Sequence, residues 1–384
     1  MIYGQGGWHR LRNDFYEKNE NVRKSGLTRE KLRLVWEIMM EIYFTEDNKQ
    51  EYMKCVEEIV QTNWWSEGKF TKEFEELCAQ ECGTQEGIAV SNCGAGLYIL
   101  CKYLGVNGKE VIIPGNTFYA TAIAAKMAGA KVVYADCNRE DLCMSFDSMV
   151  SKVTERTVAV ILVHIGGHIA FDVERIAAFC KAREIALIED CAHAHGAEWN
   201  GKKAGSWGIG GVYSFYATKT LTTGEGGMVV TNNKKLADWC RVYRNYGKRI
   251  SNGQVIFDNS IGGMNFRISE FTAALGCIQM RNLKDIVAVK QRIAGKYDEI
   301  FTDRILLPKG MKSGYYKYIV FDQTIKSETG KVFDIKSQAC YVDNDWSTLK
   351  NCIWVGEHHS CVPIFSNIEY SRLDINDLKS LVLG

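Results

Sequence analysis

A lysine between two short apolar runs is the residue of this chain best suited to covalent chemistry. Lys219 follows a strand-like run at 212–215 and precedes the Thr/Gly-rich segment 222–227 and a second β-type run at 228–230. A lysine held at the end of a buried strand fits the nucleophile that forms a Schiff base with a carbonyl, and partial burial would favour its neutral amine. The chain has 47 lysines and arginines, and most such groups are solvated, so Lys219 alone is weak evidence.

A second stretch upstream strengthens this interpretation. Residues 186–196 read as a buried strand that ends in Asp190, followed by small residues and by His193 and His195. Pyridoxal phosphate (PLP) needs a carboxylate beside its pyridine nitrogen, because the carboxylate keeps that nitrogen protonated. Asp190 and Lys219 together therefore predict a PLP site.

Three segments carry a family resemblance. They are EDCAHAHGAEWNGKKAGSWG at 189–208, SFYATKTLTTGEGG at 214–227 and MNFRISEFTAALG at 264–276. In sequence, order and spacing they resemble the DegT/DnrJ/EryC1/StrS family of PLP-dependent aminotransferases, which act mostly on nucleotide-linked keto sugars. The resemblance extends from about residue 63 to about residue 297 and is thin on either side.

The resemblance implies a role for each residue of a cofactor site. Lys219 would be the covalent anchor, forming the internal aldimine, and the acid and base of the proton transfer, while Asp190 would pair with the pyridine nitrogen. Phe118 would lie against the cofactor ring, and His193, where the family often has glutamine, would contact the phenolic oxygen. The phosphate would be bound by Ser214, by the turn of Cys93, Gly94 and Ala95, and by Asn265 from a neighbouring subunit.

The turn at 91–97 also has a physical reason to bind phosphate. It reads as the start of a helix after a strand, and the first N–H groups of a helix are free donors to an anion. The family usually has serine or threonine where this chain has Gly94. One hydroxyl donor is therefore missing here.

Two further residues are candidates for contact with substrate. Arg267 would clamp the carboxylate of the amino donor, since a guanidinium fork matches a carboxylate. Trp65 could wall a substrate pocket or pack in the core. Sugar dehydratases of this family carry histidine in place of Lys219, so the lysine favours transamination. No metal site is predicted, because the 14 cysteines are scattered and form no C-x-x-C pair.

Strand and helix patterns alternate between residues 110 and 190. This alternation predicts an α/β fold with a largely parallel sheet, helices on both faces and sites at the carboxyl ends of the strands. The resemblance implies a fold-type I PLP transferase, with a mostly parallel mixed sheet in a large domain and a small C-terminal α+β domain. The predicted division is a helical extension at 1–55, a large domain at 56–283 and a small domain at 284–384.

Composition limits the partners of the chain. A net charge of +1 gives no argument for nucleic acid or an anionic membrane. No apolar run approaches the ~20 residues that span a bilayer, and the first residues lack the apolar core of a signal peptide. Free thiols then favour a reducing, cytoplasmic location.

The resulting hypothesis is an aminotransferase. It would move an amino group from L-glutamate or L-glutamine to a keto sugar, expected to be nucleotide-linked, through the Lys219 internal aldimine and a pyridoxamine phosphate intermediate, in a homodimer with shared active sites. A non-nucleotide cyclic ketone of the aminocyclitol type is an alternative acceptor, because Lys and Arg are sparse in the C-terminal region and no diphosphate clamp is evident there. A non-catalytic relative that binds PLP or a sugar is the other alternative.

Overall fold

The computed structural model describes residues 43–325, 330–366 and 371–383. The apolar periodicity at 32–42, which predicts a helix in the N-terminal extension, lies outside the described residues. Within them, no helix combines the length and the apolar character that a membrane crossing needs.

Helices and strands alternate through most of the described chain. The strands are β1 (Glu86–Val90), β2 (Glu110–Pro114), β3 (Lys131–Ala135), β4 (Thr157–Val163), β5 (Ala186–Asp190), β6 (Glu198–Trp199), β7 (Lys202–Lys203), β8 (Gly210–Ser214), β9 (Gly227–Thr231), β10 (Lys248–Ser251), β11 (Gln254–Phe257), β12 (Met311–Lys312), β13 (Tyr318–Phe321) and β14 (His359–Val362). The helices are α1 (Glu46–Thr62), α2 (Lys69–Cys82), α3 (Cys93–Tyr103), α4 (Tyr119–Met127), α5 (Phe146–Lys152), α6 (Val173–Ala182), α7 (Lys234–Tyr243), α8 (Glu270–Asp298), α9 (Ala339–Val342), α10 (Lys350–His358) and α11 (Ile375–Val382).

A seven-stranded sheet forms the centre, in the order β1-β9-β8-β5-β4-β2-β3. The neighbours from β8 to β3 are parallel, whereas β9 is antiparallel to both β1 and β8. Strands β2, β8 and β9 are buried along their whole length, as expected where helices cover both faces of a sheet. The predicted mostly parallel mixed sheet flanked by helices is confirmed.

Helix α8 connects the sheet to the C-terminal region. It is one continuous helix of 29 residues. The predicted boundary at 283/284 falls inside this helix, and the division into domains stays a prediction. The second half of α8 contributes Val289, Ile293 and Tyr297 to an apolar cluster with β13, β14 and α11 that is separate from the main core.

Part of the C-terminal region packs back on the large sheet. Phe333, Cys340 and Cys352 belong to the main core. The N–H of Ala339 donates to the carbonyl of Thr117 at 2.9 Å, just before α4. This contact brings the loop before α9 to the carboxyl ends of the central strands, where it forms one wall of a cavity.

Candidate active site

A cavity of about 650 Å³ opens at the carboxyl ends of β5 and β8. Seven of the predicted cofactor and catalytic residues line it: Cys93, Gly94, Phe118, Asp190, His193, Ser214 and Lys219. The opposite wall comes from the C-terminal region and includes Tyr316, Lys317, Lys331, Val332, Phe333 and Ser337. Residues from distant parts of the chain therefore face one partly open cavity.

Asp190 ends β5 as a buried carboxylate. Its Oδ2 accepts a hydrogen bond from the Thr121 hydroxyl at 2.9 Å, and its Oδ1 accepts one from the Ala192 N–H at 3.1 Å. Burial raises the pKa of Asp190, while these hydrogen bonds and nearby Lys219 act in the opposite direction. No ion pair joins Asp190 to a cation in the part of the chain described, so a cationic partner in the cavity would stabilise the carboxylate.

The side chain of the neighbouring Glu189 lies on the other face of β5 and binds the loop before β8. Its carboxylate accepts hydrogen bonds from the N–H groups of Gly205, Trp207 and Gly208, and it contacts His164 Nε2 at 2.9 Å. Because adjacent side chains of a strand point to opposite faces, Glu189 holds the loop before β8 while Asp190 faces the cavity.

The turn before α3 presents free backbone donors. Asn92 caps the helix, and its Oδ1 accepts from the Ala95 N–H at 2.8 Å. The amides of Cys93 and Gly94 are the first two of the helix and have no partner within it. Ala95, which the sequence grouped with them as a phosphate donor, is outside the cavity lining and uses its N–H in the cap. Cys93 and Gly94 therefore keep free amides at the cavity, and phosphate binding by this turn stays a prediction.

Gly227 lets strand β9 approach this turn. A Cβ at Gly227 would lie 2.4 Å from the carbonyl carbon of Asn92 and 2.8 Å from the nitrogen of Cys93. Any side chain there would push the first turn of α3 away from the sheet.

Lys219 lies in the turn after β8 and is half-buried. Its N–H donates to the carbonyl of Tyr216 at 2.9 Å, which fixes the backbone of the turn. Its Nζ lies 4.8 Å from the centre of the Tyr316 ring, a distance at which a cation and an aromatic face attract each other. Tyr316 also contacts Thr218 between the two hydroxyl oxygens at 3.4 Å.

His193 is buried beneath the same ring. It stacks on Tyr316 with ring centres 4.2 Å apart and on Phe333 at 5.7 Å. Burial, followed by the charge of Lys219, lowers the pKa of His193 well below its usual value. The imidazole is therefore neutral and has one N–H to donate, and its Nδ1 has no hydrogen-bond partner among the described residues.

Phe118 and Ser214 complete the cofactor side of the cavity. Phe118 precedes α4 and is 61% exposed, so its ring is open to a flat ligand. Ser214 ends β8 and is buried, and its Oγ accepts a long bond of 3.4 Å from the Tyr216 N–H. The hydroxyl hydrogen of Ser214 stays available to an anion.

Besides Ala95, three predicted residues lie outside this cavity. Arg267 donates from Nη1 to Asn245 Oδ1 and lies 3.8 Å from Glu67 Oε2, so its guanidinium already has partners within the chain. Asn265 accepts from the Arg267 N–H at 3.2 Å. Trp65 is 55% exposed and packs edge-on against Phe271. Their roles in substrate or cofactor binding stay predictions.

Sequence reasoning missed part of the lining. Thr121 could have been found, because it lies one helical turn after Thr117 and the two hydroxyls meet at 2.9 Å. Tyr316, Lys331 and Phe333 have no such signal. They lie in segments without a motif, and only packing of the C-terminal region brings them to Lys219.

Comparison with known proteins decides the family. The sequence pattern of the DegT/DnrJ/EryC1/StrS aminotransferase family matches residues 46–329. The chain belongs to this family. GDP-perosamine synthase of Escherichia coli O157:H7 is 34% identical over 265 residues, which cover 68% of this chain and 72% of the relative. The spore coat polysaccharide biosynthesis protein SpsC of Bacillus subtilis is 34% identical, covering 66% of this chain and 67% of SpsC.

Solved structures agree on the fold. The aminotransferase TlmJ of Streptoalloteichus hindustanus superposes with a TM-score of 0.77 at 26% identity, covering 86% of this chain and 95% of TlmJ. DesV of S. venezuelae, determined with a ketimine intermediate, gives 0.78 at 22% identity, covering 88% of this chain and 94% of DesV. The predicted fold-type I architecture is confirmed, and this chain is a PLP-dependent aminotransferase, as the sequence predicted.

The residues of the cavity fit PLP. A buried carboxylate without a cation faces the cavity at Asp190, a neutral imidazole with an unpartnered nitrogen lies at His193, and two free amides begin α3. These are the groups that a pyridinium, a phenolic oxygen and a phosphate require.

Proposed function

We propose that this enzyme moves an amino group from L-glutamate or L-glutamine to a keto sugar, with Lys219 as the reactive lysine. The observation that carries the proposal is the convergence of Lys219, Asp190, His193 and Ser214 on one cavity. Relatives named for GDP-perosamine synthesis and for a spore coat polysaccharide support a sugar acceptor.

Each residue of the cavity has its own role in the proposed reaction. When bound, PLP supplies an aldehyde for covalent attachment and a ring that withdraws electrons. Asp190 keeps a proton on the ring nitrogen, and the Thr121 hydroxyl orients that carboxylate. Lys219 provides the attaching amine and then moves a proton at the α-carbon of the donor.

The other residues of the cavity hold the cofactor in position. His193 donates to the phenolic oxygen, and Phe118 covers one face of the ring. Ser214 and the amides of Cys93 and Gly94 bind the phosphate. Packed on the wall opposite the sheet, Phe333 helps to exclude water.

A homodimer with shared active sites belongs to the same proposal. Asn265 and Arg267 lie outside the cavity of their own chain, and large apolar side chains around them are exposed, among them Tyr246 and Met264. An exposed apolar surface of this kind is typical of an interface. In a dimer, Asn265 would reach the phosphate and Arg267 the donor carboxylate of the other subunit.

A cytoplasmic location is also proposed. All 14 cysteines are free and 13 of them are buried, which suits a reducing compartment.

The first test is the visible absorbance of the PLP-loaded protein before and after L-glutamate. We expect the wild type to show a Schiff-base band that glutamate removes. Lys219→Ala should lack the band of the protein-bound Schiff base and convert the cofactor at least ~100-fold more slowly, because it has no proton-transferring amine. Lys235→Ala, at an exposed position of α7, is the matched control.

The result that would sink the proposal is a wild type without any such band in excess PLP. That outcome would favour a non-catalytic binding relative.

A further inference from the structure

A buried lysine on α8 has no part in the proposed chemistry. Lys290 is 6% exposed, although lysine is among the residues least often buried. Its Nζ donates to the backbone carbonyls of Tyr315 at 3.2 Å and Ile364 at 3.3 Å. No carboxylate forms an ion pair with it in the part of the chain that the structure describes. Burial of an amine in this way is costly, so its two contacts are the features that explain it.

The two contacts of Lys290 do not depend on its charge. Burial, followed by the charge of Lys317, lowers the pKa of Lys290 to about 7. An ammonium group has three N–H donors, and the neutral amine keeps two. Either form can therefore donate to both carbonyls and hold the two segments on α8.

One of these carbonyls belongs to a residue with an unfavourable backbone conformation. Tyr315 has a φ of 45°, in the left-handed region that is costly for a bulky aromatic residue. Such a conformation persists where the surrounding structure fixes it. The Tyr315 N–H donates to Ser313 Oγ at 2.9 Å, and the next N–H but one, of Lys317, donates to the Gly166 carbonyl at 2.9 Å. Lys290 adds the contact to the carbonyl between them.

The peptide bond that Lys290 contacts leads directly to Tyr316. The Tyr316 ring lies 4.8 Å from Lys219 Nζ and stacks on His193 with ring centres 4.2 Å apart. A change in the left-handed turn would rotate this peptide bond and move the ring. Because an aromatic face attracts a nearby cation, the position of the ring decides how well it stabilises a positive charge on the nitrogen of Lys219.

On the basis of the proposed function, we propose that Lys290 is a positioning residue for the reactive lysine. By holding the Tyr315 carbonyl, Lys290 keeps the ring of Tyr316 in its place in the cavity. The ring then stabilises the positive charge of the Schiff base that Lys219 forms with PLP. Lys290 does not line the cavity, so it acts only through Tyr316.

The pH midpoint of the visible Schiff-base band of the PLP-loaded protein tests this role. We expect Lys290→Met to lower the midpoint by roughly 0.5 pH units, because the displaced ring no longer favours the protonated nitrogen. Tyr316→Leu should give the same shift, and the double variant should add nothing to it. Lys290→Arg, which keeps a long donor, should stay close to the wild type.

Lys296→Met is the matched control. Lys296 lies on the same helix, and its Nζ also donates to two backbone carbonyls, those of Ser371 and Leu373, but it does not line the cavity. We expect Lys296→Met to lower the stability to urea as Lys290→Met does and to leave the midpoint unchanged. An equal shift in both variants would show a general loss of stability, and a midpoint that rises in Lys290→Met would show that the charge of Lys290 acts directly. Either result overturns the assignment.

A measurement without PLP separates this role from the proposed function. Fluorotyrosine placed at position 316 reports its stacking on His193 through its fluorine NMR signal. In the PLP-free protein we expect Lys290→Met to move this signal toward its position in the unfolded chain and Lys290→Arg to leave it in place. A signal that does not move rejects the assignment, whatever L-glutamate does to the loaded enzyme. A signal that moves, in a protein whose wild type forms no Schiff-base band, rejects the proposed function and leaves the hold of Lys290 on Tyr316 standing.

Discussion

At the scale of single residues, cofactor binding depends on which buried polar groups of the site lack a partner within the chain. Asp190 accepts hydrogen bonds from Thr121, Ala192 and the Cys93 thiol but has no ion pair within the described chain, and His193 retains an unpartnered nitrogen. Unsatisfied groups of this kind cost free energy in an apo protein, about 1–3 kcal/mol for a buried donor or acceptor. Cofactor binding recovers part of that cost, so the same residues that destabilise the empty site favour the loaded one.

Gly94 offers a test at this scale. A Cβ at this position would meet only Asn92 Oδ1, at 3.3 Å, so a small side chain requires that oxygen to shift by a few tenths of an ångström. We expect Gly94→Ser to bind PLP roughly threefold to tenfold more tightly, because the hydroxyl adds one donor to the phosphate. The measurement is a PLP titration followed by protein fluorescence. Gly94→Ala supplies the Cβ without the hydroxyl, and equal gains from both variants would show that the hydroxyl does not reach the phosphate.

At the scale of elements, the start of α8 anchors the start of α2. The buried carboxylate of Glu270 accepts from the N–H groups of Gly68, Phe70 and Thr71 and from the Thr71 hydroxyl. These amides have no partner inside α2, and a negative charge at a helix N-terminus is favourable. One side chain thus joins two helices that are distant in sequence, and it supports the segment that carries Trp65.

We expect Glu270→Gln to lower the free energy of unfolding by about 2–4 kcal/mol. The substitution keeps the size of the side chain but removes the charge and turns one acceptor into a donor that faces N–H groups. Urea denaturation at a fixed protein concentration measures the change. Glu299→Gln, at the exposed C-terminal end of the same helix, should stay within about 0.5 kcal/mol of the wild type; equal losses in both variants would contradict the capping role.

At the scale of the whole molecule, the single chain has exposed apolar surface close to Asn265 and Arg267. These two residues do not line the cavity of their own chain. The hairpin of β10 and β11 exposes 76% of Ile250 and 61% of Phe257. In the same part of the molecule, the guanidinium of Arg267 contacts the side chains of Asn245 and Glu67. A second copy that covered this surface would bring its own cavity within reach of Asn265 and Arg267.

Ile250→Glu tests the shared site. A charge in a buried apolar interface is costly, so we expect the variant to sediment as a monomer at concentrations where the wild type is a dimer. It should also retain less PLP. Leu306→Glu, at a position 63% exposed in the C-terminal region, is the control. A dimer that persists in Ile250→Glu would exclude the hairpin from the interface.

The sequence alone determined the part of the site that lies in strand ends and in the turns after them. Asp190 and Ser214 end recognisable buried strands and Lys219 follows one, and parallel strands bring their carboxyl ends to one edge of a sheet. The alternation of strands and helices between residues 110 and 190 was predicted as well, because continuously buried strands such as β2 give clear apolar runs.

Only the tertiary structure decided the opposite wall and the surroundings of the outlying residues. Lys331 and Phe333 are separated from Lys219 by more than a hundred residues, and their approach depends on how the C-terminal region packs on the main core. The engagement of Arg267 by Glu67 has the same origin. Local patterns record the preferences of a segment for its own conformation, whereas contacts between distant segments depend on the shape of the whole packed chain.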